Sequence, residues 1–402
     1  MTTLFDRRSA PAQPPQPPRP PIDYEAFARD VDALRRELDA SLGPEHFEHL
    51  RKLERWGRAC SAAGYATAWL FPNPISMALI STGSMARWTI LTHHVGHRSM
   101  DRVPGVPERY TSRGFAKGRR RLVDWFDWMQ PEAWHHEHNV LHHYHTGEMA
   151  DPDLVEENAA PLRDANIPLA LKYLAVGFYA LTWKVTYYAP NTFQVLERSK
   201  ARRARRESGV TRDARGPEPY LEVFDPRTPV GRGFWSSCLL PYGLGRFVVI
   251  PALFLPLGPL AALSVWVNSV GAEALTNLHT FAIIVPNHAG DDLYRFEGVT
   301  RDRAELYVRQ VAGSANYETG GDLRDFMHGF LNYQIEHHLF PDLPPLAYQR
   351  AQPRVKDLCA KHGVPYVQGS VWSRVKKLAD IMVGKTSMRL GAALSRRTRA
   401  TA

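Results

Sequence analysis

Imidazoles dominate the chemistry open to this sequence. Of its 17 histidines, setting aside His46, His49 and His362 leaves 14 between His93 and His338. They fall into groups: His93-His94-Val95-Gly96-His97, then His135-His136-Glu137-His138-Asn139-Val140-Leu141-His142-His143-Tyr144-His145, then Gln334-Ile335-Glu336-His337-His338. His288 stands between the last two, in Pro286-Asn287-His288-Ala289-Gly290. On a helix, His93 and His97 lie one turn apart on one face, as do His138 and His142, while His143 is rotated by about 100°. Neutral nitrogen donors suit iron, zinc, copper or nickel. The eight candidates His93, His97, His138, His142, His143, His288, His337 and His338 exceed one closed shell, which implies two metal ions. Cys60, Cys238 and Cys359 form no CxxC pair, which argues against a thiolate site or a disulfide framework and fits a reducing compartment. No HExxH occurs, and only Glu132 to His135 has the Glu-x-x-His spacing of helical carboxylate di-metal bundles, so both soluble alternatives weaken.

The elements that must position these groups are apolar runs. Ala59 to Ala86 is uncharged and is broken by Phe71-Pro72-Asn73-Pro74; extended to Thr92 it allows two short crossings of a hydrocarbon layer roughly 30 Å thick. Leu239 to Pro286 contains only Arg246 and Glu273 as charged residues and gives a second hairpin. Ala165 to Pro190 carries Lys172 and Lys184 and precedes the basic stretch Arg198 to Arg215; a single crossing there would violate the positive-inside tendency, so it is expected to lie in the membrane plane. Two hairpins place every histidine cluster on one side. The expected fold is therefore all-α and polytopic, two transmembrane helical hairpins beneath a His-rich cap. Residues 1–22 form a Pro-rich tail expected to be disordered and to lack a secretory signal. Residues 23–58 form amphipathic helices, with Phe27, Val31, Leu34 and Leu38 as one stripe and Phe47, Leu50 and Leu53 as another. The membrane domain follows over 59–348, and 349–402 is a cytoplasmic C-terminal extension.

The ordered motifs HHVGH, HNVLHH and QIEHHLFP, each beside an apolar hairpin, resemble the three histidine boxes of the membrane fatty-acid desaturase superfamily over about Ala59 to Tyr348. This resemblance implies a non-haem di-iron centre at the cytoplasmic mouth of four transmembrane helices, using O2 and two electrons to remove two hydrogens from an acyl chain. It assigns the metal ligands to His93 and His97, to His138, His142 and His143, and to His337 and His338, with His288 as the additional ligand after the last crossing. Gln334 stands where many members have histidine, and is expected to meet the metal through a bound water. His94 replaces the more usual aspartate. No His-Pro-Gly-Gly stretch of a fused cytochrome b5 domain is found, so electrons come from a separate donor of ferredoxin or cytochrome b5 type. The implied location is an integral protein of the cell inner membrane with its boxes in the cytoplasm.

The remaining residues receive plainer readings. His135, His136 and His145 are expected to support the second box or face solvent, His279 to be a buried hydrogen-bonded residue, and His46, His49 and His362 to lie on the surface. Glu137, Asp151, Asp153, Asp291, Asp292 and Glu336 are the carboxylates expected to orient ligating imidazoles. Trp125, Trp128 and Trp134 are expected as anchors at the membrane interface, and the basic segment between the first two boxes as a place for a lipid head group. A net charge of +9 does not by itself select nucleic acid, and no recognition motif for it occurs. The alternatives to a desaturase are a di-iron hydroxylase of lipids, alkanes or carotenoids, which differs only in the fate of the substrate after hydrogen removal, and a non-catalytic membrane protein that binds metal.

Overall fold

The computed structural model describes residues 21–208 and 220–394. Nearly all of the expected Pro-rich tail lies outside the described residues, as does the end of the basic stretch from Arg198 to Arg215. The described chain is mostly helical, with four strands of two or three residues each, so the all-α expectation holds in its coarse form. It divides into two compact units, one comprising residues 43–142 and 179–280, the other residues up to 42, 143–178 and from 281 onward.

In the first unit, the helix Pro44–Ala68 runs unbroken through the junction expected at residue 58. It turns at residues 69–73 into Pro74–Met85, which is continued by a π-helical segment, Ala86–Thr92, and the short helix His93–Gly96. Asn73 sets the turn: its side chain accepts from the Ser76 amide, and Pro74 occupies the first helical position, where its missing N–H costs nothing. The two arms cross closely because they meet at small residues. A Cβ on Gly57 would lie 2.8 Å from that of Ala86, and one on Gly64 would lie 2.7 Å from Ile80 Cγ1, a pairing that runs antiparallel. Asn268, from the helix Pro259–Ile284, accepts from the Asn73 amide at 2.9 Å and donates to the Ala68 carbonyl at 2.8 Å. Ala68, Ile80, Val265 and Ala272 fill the core beneath.

Among the described residues one helical stretch, Pro229–Leu257, is long and apolar enough to cross a membrane. The run from Ala59 to Thr92 does not meet that criterion in either arm; in the first, Pro44–Ala68 carries Arg51, Lys52, Glu54, Arg55 and Arg58. The outward face of the second run is nonetheless apolar: Leu253 is 71% exposed and Leu260 77%. Lys172 and Lys184, the charges within the third apolar run, are both buried and bonded, Lys172 to the Arg163 carbonyl and Lys184 to Asp127.

The stripe on Pro44–Ala68 corrects one expectation. His46 and His49 fall on the same face as Leu50 and Leu53 and are buried with them, not exposed. His46 Nδ1 lies 3.1 Å from the Gly43 amide and tightens the start of the helix.

The second unit begins with the helix Tyr24–Ala40, capped by Asp23, whose stripe Phe27, Val31, Leu34 and Leu38 is buried as expected. It packs on the helices Arg303–Ala312 and Pro345–His362, with Tyr307 donating to Asp32 at 2.8 Å and Arg35 pairing with Asp342 at 2.9 Å. Two parallel strand pairs, Tyr294–Arg295 with Arg389–Leu390 and Ala315–Tyr317 with Val367–Gly369, tie the C-terminal region to this unit. They enclose a core of Leu154, Leu293, Ala315, Ile381 and Met388.

Candidate metal centre

The first unit brings together four of the expected ligands. His93 opens the short helix after the π segment, and His97 closes it with a backbone bond of 3.0 Å to the His93 carbonyl; their rings are 4.8 Å apart. The second box is itself wound as a π-helix, His135–His142, a local over-wide turn that recurs at functional sites. It carries His138 to 5.2 Å from His93 and 5.0 Å from His97, with His142 stacked on His138 at 5.2 Å. The ligand nitrogens of His93, His97 and His138 all lie within 4.8 Å of one another.

Two residues that spacing alone did not single out make this approach possible. Trp134, expected at the membrane interface, is instead buried and stacks on His138 at 4.8 Å while presenting its ring to His93 and His97. Gly96 lies directly against it: an added Cβ would come 2.6 Å from Trp134 Cζ3. Asn139 then donates to the Gly96 carbonyl at 2.9 Å, tying the first box to the second. Trp125 and Trp128 are likewise buried, Trp125 packed on Trp134 and Trp128 donating to Glu273 at 2.7 Å, so aromatic residues here serve packing and hydrogen bonding within the protein.

The second unit brings together the other four. His143 stacks on His338 at 4.4 Å and meets His337 edge-on at 4.8 Å, and His288 lies 4.7 Å from His338. Here hydrogen bonds assign the protons. Gln310 Nε2 donates to the His143 carbonyl at 2.6 Å, so Gln310 Oε1 must accept from His338 Nδ1, also at 2.6 Å. Tyr348 gives its proton to the carbonyls of Phe340 or Pro341, so its oxygen accepts from His337 Nδ1 at 3.1 Å. Both imidazoles therefore carry the proton on Nδ1 and the lone pair on Nε2, the state a metal requires. Gln334 Nε2 sits 2.9 Å from His288 Nε2, and Asn287 donates to its oxygen at 3.4 Å. Arg374, from the C-terminal helix Val371–Met382, grips the His288 loop through the carbonyls of Pro286 and Ala289 and through Asp292.

The expected carboxylates divide by role. Glu336 is fully buried, accepts from Asn316 at 2.7 Å and Tyr366 at 3.0 Å, and is pushed up to about 7 by burial. Asp151 receives the Gly147 and Asp153 amides and shapes the loop after the second box. Asp291 and Asp292 pair with Lys377 and Arg374. Glu137 is completely buried beside His138. His94 stacks on His93, and burial lowers it to about 3, so it is neutral at physiological pH; burial also holds His93 well below its ordinary value. His135 bonds Asn139, and His145 bonds Glu148 at 2.8 Å.

These residues suit a resident metal. The ligand nitrogens of His93, His97 and His138 converge to within 4.8 Å of one another, so that small shifts of the rings would bring them to one ion at bonds of about 2 Å. The donors are all nitrogen, as first-row transition metals accept, seven of the eight are buried, and the protons of His337 and His338 are already on the outer nitrogen.

A sequence profile of the fatty acid desaturase family matches residues 67–370, three-quarters of the chain. The chain belongs to the fatty acid desaturase family. As a member it is an enzyme, an oxidoreductase acting on fatty acyl chains. It is 28% identical over 395 residues to an NADPH-dependent stearoyl-CoA 9-desaturase of Mycobacterium tuberculosis, covering 89% of this chain and 80% of that protein. An acyl-lipid (7-3)-desaturase of Chlamydomonas reinhardtii is 26% identical over 77% of this chain and 56% of its own length. Fatty acid desaturase 3 of Bos taurus shares 51% identity over a segment of 57 residues, 14% of this chain and 13% of its own. Family membership removes the reading of the protein as a non-catalytic metal store.

Proposed function

We propose that the protein is an oxygen-dependent desaturase that holds two non-haem irons on His93, His97, His138, His142, His143, His288, His337 and His338. It introduces a double bond into the acyl chain of a lipid or acyl thioester. The observation that carries this reading is the gathering of seven buried imidazoles and the half-buried His288, four in each unit, with the protons of His337 and His338 turned toward Tyr348 and Gln310. With iron bound, the centre would use O2, two electrons and two protons, so that an acyl CH2–CH2 becomes CH=CH and O2, with the two substrate hydrogens, becomes two waters.

The chain's own share is orientation and exclusion of water. Gln310 and Tyr348 fix which nitrogen of His338 and His337 faces the metal, and Trp134 fixes the plane of His138. Gln334 positions His288 through its amide and would meet a bound metal through a water. Burial of seven of the imidazoles excludes bulk water from the centre, which would protect both ligands and substrate from side reactions. A rigid apolar channel that presents one carbon to the metals would set the double-bond position.

In this reading residues 59–348 form the membrane domain, with Ala59–Thr92 and Leu239–Pro286 as transmembrane hairpins and Ala165–Pro190 in the membrane plane. Outward apolar faces, such as those of Leu253 and Leu260, support it. The boxes face the cytoplasm of the inner membrane, and a separate ferredoxin or cytochrome b5 type protein delivers electrons.

The test is iron content and acyl composition of cells producing the wild type or His142→Ala. Two irons per chain and new double bonds in the wild type, both lost in the variant, are expected. Hydroxylated chains in place of double bonds, or activity that survives the substitution, would overturn the reading.

A further inference from the structure

A cavity whose lining contains no imidazole lies in the first unit. It encloses ≈ 330 Å³ between Pro44–Ala68, the second arm of its hairpin and the segment 109–124. Its lining is divided by chemistry. Arg58, Arg87, Arg109 and Arg120 supply four positive charges and Glu54 and Asp124 two negative ones, so four minus two leaves an excess of two. Both carboxylates are already engaged: Glu54 accepts from Tyr110 and pairs with Arg51 and Arg58, and Asp124 pairs with Arg120. The excess is therefore Arg87 and Arg109, neither of which has a carboxylate partner among the described residues. Each guanidinium lies over an aromatic face instead, Arg109 4.8 Å from the Tyr110 ring centre and Arg87 5.9 Å from that of Phe126. Tyr110 is itself anchored at 2.9 Å to Glu54, so the platform under Arg109 is fixed before any ligand arrives. The rest of the wall is uncharged: Gly57, Ser61, Gly83, Ala86, Leu91 and Val123. Ser61, Gly83 and Ala86 belong to the run expected in the membrane.

We propose that this cavity binds the phosphate of an anionic phospholipid head group. The phosphate sits on Arg87 and Arg109 and the glycerol lies against the small residues at the base of the hairpin. Guanidinium groups already stacked on aromatic rings are suited to the planar, charge-assisted hydrogen bonding that phosphate oxygens offer. A cavity of this size holds a head group and leaves the acyl chains to the bilayer. Lipid as the source of the phosphate rests on the proposed placement of the first hairpin in the membrane; phosphate binding itself does not.

The experiment uses the full-length, iron-loaded protein in non-ionic detergent micelles, with bound lipid counted by native mass spectrometry. Phosphatidylglycerol, diacylglycerol and glycerol 3-phosphate are titrated in parallel, against the wild type, Arg109→Gln and the double variant Arg87→Gln, Arg109→Gln. The wild type is expected to take one phosphatidylglycerol per chain and to ignore diacylglycerol. Affinity should fall about tenfold for each arginine removed, the scale of one lost charge-assisted hydrogen bond. Arg109 is exposed and outside the hairpin, so Arg109→Gln decides the matter if the double variant fails to fold. Equal binding of phosphatidylglycerol by all three proteins, or of diacylglycerol by the wild type, would overturn the site. Glycerol 3-phosphate binding as tightly as the lipid would overturn the lipid source and leave a site for soluble phosphate esters. Iron content measured on the same samples separates any of these results from a failure of the metal centre.

Discussion

The two sets of four histidines use the same ligand and are positioned by different means. In the first unit the candidate ligands ride on backbone geometry: π-helical winding at Ala86–Thr92 and His135–His142, a helix of four residues, and a glycine that lets Trp134 approach the first box edge-on while it stacks on His138. In the second unit they are oriented by side chains from scattered places, Gln310 on His338, Tyr348 on His337, Gln334 on His288 and Arg374 on the His288 loop. Helical spacing fixes where a ring stands, whereas a hydrogen bond to Nδ1 fixes which nitrogen it offers. A centre built from both can be damaged in two distinguishable ways.

The largest effect tests what the sets share. His142→Ala and His338→Ala should each abolish double-bond formation and lower bound iron, measured by acyl-chain analysis and metal content of the purified protein. Retention of activity by either variant would show that its set is not a ligand set. Next, Gln310→Leu should keep the fold and the rings but lose the proton assignment on His338, costing about 10- to 100-fold in iron affinity or turnover. Gln310→Glu, which still accepts from Nδ1, should recover most of that loss. Gly96→Ala attacks the other set through packing: it should lower stability by about 1–3 kcal/mol in thermal unfolding, because Trp134 must shift. If Gln310→Leu unfolds the protein, or Gly96→Ala changes only iron affinity and not stability, the contrast between the two sets fails.

A smaller, pH-dependent effect belongs to the frame of the second set. Burial would raise the Glu148 carboxyl, but hydrogen bonds from Thr300 and His145 and the charge of Arg309 together hold it below its usual value. Its stabilisation is therefore present above the unfolded-state carboxylate range and is lost as pH falls through the lower folded value. Glu148→Gln should cost about 2 kcal/mol near pH 7, leaving Arg309 short of a partner, and progressively less below about pH 4. Unfolding midpoints of the two proteins that stay equally far apart at acid pH would contradict this assignment.

Much of the centre was legible from residue types and order, because spacing within a box is local. The eight histidines, the turn at Asn73 and the stripe of Phe27, Val31, Leu34 and Leu38 all stand out on that basis. What supports the boxes was not legible. Gln310, Tyr348 and Arg374 are single residues of common types, 28, 11 and 86 positions from His338, His337 and His288 respectively, and only the tertiary fold gives them meaning. Trp134 pointed to an interface by its type, yet it stacks within the centre. His46 and His49 stand outside the histidine boxes and read as surface residues, yet each lies four positions before a leucine of the buried stripe, Leu50 and Leu53, and shares its face. Glycine at position 96 offered a usable signal, since a residue between two ligands of one box that packs against nothing has no need to be small.

The most direct test supplies membranes containing the protein with a perdeuterated saturated acyl chain, a reductant and the electron donor, with and without O2, and weighs the acyl product. Loss of two adjacent deuterons per chain, dependent on O2 and absent in His142→Ala, is the predicted result. Gain of an oxygen atom, or an unchanged chain in a protein that holds two irons and is being reduced, would contradict the account.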